Sequence, residues 1–151
     1  MANLVFRKAR LRAFEKQLDI TSGLKVLLVM TSSAVTANLG IEFLGDLSAG
    51  QLDENDGAGY TAGGVALTAV AWAEDPTADL VRLTADDVDF GSLSAGARAI
   101  KGAILYKDVT TYANSPVLGW IDTVDGGPPF PYALNGGPFK LLWPSSGIIE
   151  F

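Results

Sequence analysis

A chain of 151 residues, 48% of them hydrophobic, with a net charge of −6, has the length of one domain and more apolar content than its charge suggests, so either its core is large or a neighbour covers part of its surface. It contains no cysteine and no histidine, which excludes disulfides, thiolate chemistry, Ser-His-Asp and Cys-His nucleophilic systems, and an ordinary zinc site. Its longest near-apolar runs, 24–30 and 65–73, fall far short of the roughly 20 residues that span a bilayer.

Taken in chain order, the first element is an amphipathic helix over 4 to about 19, with Asn3 as N-cap and Gly23 as stop. A helical wheel puts Leu4, Leu11, Phe14 and Leu18 on one stripe and Lys8, Arg12, Glu15, Lys16 and Asp19 opposite. The helix should therefore dock by its apolar stripe and show charge to solvent. Residues 1–25 hold six basic and two acidic side chains, a balance of +4. The remainder holds five basic and fifteen acidic ones, a balance of −10. A basic head on an acidic body suits pairing with an acidic neighbour or a second copy. Arg7, Arg10 and Arg12 are the candidate contacts. The acids within this segment and the acidic remainder argue against nucleic acid.

After Gly23 the period changes. "LKVLLVMT" reads as a strand covered on both faces, and not as the apolar part of a signal peptide, which "LKVLLVMTSSAVTA" imitates. A short helical turn is expected over 38–47, and "DENDGAGYTAGG" reads as an exposed loop. Strands follow over 65–72, 80–84, 88–90, 97–107 with Gly102 as a bulge, 116–122, 139–143 and 148–151. A stiff proline-rich loop precedes the last two. Seven or eight strands without βα alternation predict a mainly β fold: a single domain over 1–151, an antiparallel β-sandwich or barrel with one N-terminal helix and a β-rich body over 24–151.

The candidate chemistry is thin. "DENDG" invites a calcium loop, but positions six and twelve from Asp53 are Ala58 and Gly64 where Gly and Glu are needed, so it reads as a solvated turn. "DDVD" at 86–89 alternates charge outward with Val88 and Phe90 inward, as on an edge strand. Trp72, Trp120 and Trp143 each fall in a different strand and read as core or interface anchors before they read as a sugar groove. No catalytic residue, cofactor or metal ligand is expected. The apolar finish, Ile148 to Phe151, is expected to be held by strand pairing, with Ile149 and Phe151 covered at least partly by another copy and Trp143 as a further interface candidate.

The order "ADDVDFGSLSAGARAIKGAILYKD", "LGWIDT" and "NGGPFKLLWPSSGI", behind an N-terminal basic helix and "KVLLV", resembles a family of small virion structural proteins of tailed bacteriophages. The resemblance covers most of the chain and is weakest at 31–64. It implies a non-enzymatic particle component, with head decoration (a cement protein, often trimeric, seated on the major capsid protein) as the first role. A tail or neck component, or a glycan-binding surface protein, is the alternative. It implies assembly into virions in the host cytoplasm, with no membrane partner.

Overall fold

The computed structural model describes residues 3–38, 40–96, 98–125 and 129–151. Leu39 in the expected 38–47 turn, the expected strand start at Ala97, and Gly126 to Pro128 of the proline-rich loop lie outside them. The chain is mainly β, with antiparallel pairing throughout and sandwich-like sheets that do not close into a barrel.

The centre is a five-stranded sheet. Strand β2 (Leu24–Met30) pairs with β7 (Ile100–Lys107), β7 with β8 (Val117–Ile121), and the edges are β1 (Leu4–Val5) and β3 (Val65–Ala66). All five residues of β8 are buried, as are Val26 to Met30 in succession, so both faces of this sheet are covered. That is why the runs are apolar without alternation. The β2–β7 register shifts between Val29 and Met30, beside Gly102, where the bulge is expected. Gly102 has a second role: a Cβ there would stand 2.5 Å from the Trp120 ring. A three-stranded sheet joins β4 (Ala71–Asp75), β5 (Leu80–Thr84) and β10 (Ile149–Glu150), with β5 in the middle. A two-stranded sheet joins β6 (Val88–Ser92) to β9 (Pro138–Leu141). Leu83, Ile149, Val88, Phe90, Phe139 and Leu141 from the small sheets share one core with the large sheet.

Four expectations are corrected. The expected strand over 65–72 is two strands, β3 and β4, separated at Ala69, whose φ is 52°. The loop at 53–64 is not an exposed excursion. Asp53 and Asn55 are buried, and their backbones pair with Met30 and Leu28 at the edge of β2.

The helix α1 is short, Arg7–Phe14, because Leu4 and Val5 are drawn into strand pairing with Trp120 and Gly119. Asn3 does not cap it. Its amide donates to the Thr123 and Ile148 carbonyls, and its carbonyl accepts from the Asp122 and Thr123 N–H groups. The helix ends at Phe14, well before Gly23, and is closed at Lys16. There the Gln17 N–H bonds the Arg12 carbonyl and the Lys16 N–H the Ala13 carbonyl, a Schellman closure with Lys16 at φ 56°.

The helix also docks the other way round. Phe6 and Ala9 are buried, whereas Leu11 is 52% and Phe14 80% exposed. Small alanines let the helix lie close on β8, and Phe6 anchors it, its N–H bonded to the Leu118 carbonyl at 2.9 Å. Leu18 is buried as expected, but from the turn beyond the helix.

Candidate interaction surface

The outward face of α1 is built by spacing. Arg7, Arg10, Leu11 and Phe14 stand at i, i+3, i+4 and i+7 and form one stripe along the helix, all of it exposed. Among the described residues neither Arg7 nor Arg10 has an ion-pair or side-chain hydrogen-bond partner. Of the charged side expected in solvent, Lys8, Glu15, Lys16 and Asp19 are exposed, whereas Arg12 turns to the body. Arg12 pairs with Glu42 and lies over the Phe43 ring, 5.0 Å from its centroid, and Lys8 reaches Glu42 at 3.9 Å. Arg12 is thus an internal clamp. Its place in the candidate contact trio is taken by Leu11 and Phe14.

Two features of this stripe are unfavourable in the isolated subunit. Arg7 sits in the first turn, with no acid there to complement the helix dipole. Phe14 exposes a large ring that burial would favour by roughly 1.5–3 kcal/mol. Local rules broken without internal compensation mark a surface made for something else. The sequence signal for this face was present: Phe6, Ala9 and Ala13 form a competing stripe at i, i+3 and i+7, small enough for close docking.

The C-terminal candidates fall elsewhere. Ile149 is 1% exposed, pairs with Leu83 and belongs to the chain's own core, which corrects the expectation that another copy covers it. Trp143 is held internally, its indole N–H on the Asp86 carbonyl at 2.8 Å and its backbone N–H on the Asp87 carboxylate at 2.9 Å. Phe151 is half-buried, edge-on to Trp72 at 5.2 Å. It lines a groove at the end of the β4–β5 hairpin with Glu74, Asp75, Asp79, Leu80 and Val81, of about 170 Å³. Asp75 there is bound to Arg82 at 2.7 Å, while among the described residues Glu74 and Asp79 have no cationic partner. Nothing in "EDPTAD" announces this groove, because it reads only as a turn.

A larger cleft of about 500 Å³ lies between Leu44, Leu47, Leu52, Arg98, Tyr112 and Glu54. Its charged groups are bonded within the chain, three carboxylates to one guanidinium and to hydroxyl and N–H donors. Arg98 bridges Asp53 and Asp56, and Asp53 also accepts the Ser32 N–H. Glu54 accepts the Tyr60 and Tyr112 hydroxyls, each at 2.9 Å, and the Gly63 N–H at 2.6 Å. Burial, and then the Glu54 charge, push both tyrosine hydroxyls well above their ordinary pKa, so they stay protonated as donors. The cluster acts as a brace tying 53–64 to the sheet. Among the described residues no three metal-ligating side chains converge.

Compared with known proteins, the chain matches no protein-family model, no curated protein and no solved structure.

Proposed function

We propose that the chain is a structural subunit of a tailed-bacteriophage particle, attached through the outward face of α1, with head decoration as its first role. One observation carries the reading: an eight-residue helix turns Leu11, Phe14, Arg7 and Arg10 to solvent while it docks by Phe6 and Ala9. A subunit that spends its life against neighbours has reason to keep such a face. The order of motifs from residue 85 to residue 148 supports the virion setting. The charged groups of the cleft are engaged with donors of the chain itself, which favours a structural over a catalytic role.

The test is to compare particles grown with the wild-type chain and with Leu11→Glu/Phe14→Glu. The variant should fold, because both positions are exposed, and should be lost from purified particles. A folded variant that attaches normally, or a wild-type chain missing from particles, overturns the reading. Copy number then assigns the place. Hundreds of copies fit a head or tail-tube subunit; a number of about ten fits a neck or baseplate ring.

A further inference from the structure

We propose that the occupant of the α1 face is the acidic groove at the end of the β4–β5 hairpin of a second copy, so that subunits join head to tail. The inference rests on reading α1 as an attachment face and names its partner.

The groove is where the core-facing side of the small sheet runs past the core. In the β4–β5 register Trp72 lies opposite Leu83, and Glu74 opposite Val81. Leu83 is fully buried, whereas Val81, two residues earlier on the same face, is 40% exposed. Phe151 extends the same face beyond Ile149 and rests on Trp72, its backbone N–H bonded to the Val81 carbonyl at 2.9 Å. The result is an apolar ledge of Leu80, Val81 and Phe151 rimmed by Glu74 and Asp79.

The two surfaces match in kind and number. Leu11 and Phe14 meet the ledge, and the Arg7 and Arg10 guanidiniums meet the two carboxylates. The contact removes unpaired charge of both signs at the moment it removes apolar area from water. Because helix and groove are different patches, the contact is heterologous. Repeated, it closes into a ring or continues as a row, where a self-complementary contact would stop at a dimer.

The chain has no cysteine, which gives a direct test. Phe14→Cys and Val81→Cys are made separately, purified and mixed under mild oxidation. A disulfide-linked heterodimer is expected from the mixture and none from either variant alone. Cross-linking of Phe14→Cys with itself would instead show helix-to-helix pairing and overturn the proposal. Sedimentation gives the second arm. Arg7→Glu/Arg10→Glu and Glu74→Lys/Asp79→Lys should each weaken self-association by about thirtyfold or more. Their mixture should recover assembly with the two variants in alternation, since each face of one variant then meets an oppositely charged face of the other, while like-charged faces block contact between identical copies. A wild-type chain that stays monomeric at all concentrations overturns the proposal. If that same chain still loses particle attachment through Leu11→Glu/Phe14→Glu, the attachment reading stands and only the partner is wrong.

Discussion

At the scale of single residues, backbone conformation is more telling than side-chain chemistry. Lys16 occupies the position after a helix where glycine is the usual residue, with φ 56° and an exposed side chain. An L-residue there carries a left-handed cost of roughly 1–2 kcal/mol, partly offset in glycine by unfolded-state entropy. Lys16→Gly should therefore raise stability, by about 1 kcal/mol in urea unfolding, without touching the outward stripe. Gly64 shows the opposite case. Its φ is 71°, and a Cβ would fall 1.9 Å from the Val26 carbonyl oxygen. It is the point where the 53–64 segment comes against β2 before entering β3. No pattern of hydrophobicity announces such a contact, which is why that segment reads as a free loop in the sequence and folds as part of the body.

At the scale of elements, α1 separates two kinds of apolar residue on one short helix. Phe6→Ala should cost about 3–5 kcal/mol, because it empties a fully buried site at the entry to the helix. Phe14→Ala should stay within about 0.5 kcal/mol of wild type in the dilute monomer, because the ring is already in water. Equal losses at the two positions would show that the helix docks as the wheel suggests. The strands were legible in the sequence because short apolar runs are bounded by turn residues, as at β2, β7 and β8. The helix was legible as a helix, but not its orientation. A wheel ranks residues by hydrophobicity alone, and here two alanines win the docked face by size while a phenylalanine loses it. The candidate site was legible only through its charge: among the described residues Arg7 and Arg10 have no partner, Arg12 is paired with Glu42, and the groove left no signal.

At the scale of the molecule, stability should be bounded on both sides of neutral pH. Asp19 is held well below the ordinary carboxylate value, chiefly by the Thr21 hydroxyl and N–H, then by Ser22 and Lys107. Asp75 and Asp89 are lowered, first by the Ala78 and Gly91 N–H groups respectively. A carboxyl with a lowered folded pKa binds its proton in the unfolded chain first, so its contribution is complete above about pH 4 and is lost as pH falls toward the folded values. Tyr60, Tyr106 and Tyr112 are raised, with burial the first cause in each. Their contribution is complete below pH 10 and declines as pH rises from there toward the raised values. Urea midpoints should thus be flat from about pH 5 to pH 9 and fall on either side. Tyr60→Phe should make the alkaline fall shallower, since one titrating group is gone. An alkaline limb unchanged by that substitution would show that Tyr60 is not protected as its bond to Glu54 implies.

The Asn3 side chain bonds the Ile148 carbonyl across 145 positions of sequence, and β1 pairs with β8 more than a hundred residues away. Long loops must close before these contacts reward the chain, so folding belongs in the slow, topology-limited range. On the ribosome, residues 3 to 5 wait without partners until β8 emerges, and the small sheet waits for β10. A nascent chain interrupted before residue 149 lacks the last strand of that sheet. It also lacks Phe151, one wall of the acidic groove. If subunits join through that groove, a product interrupted before Phe151 is rejected at assembly without any separate proofreading step, because the wall that the next subunit inspects is missing.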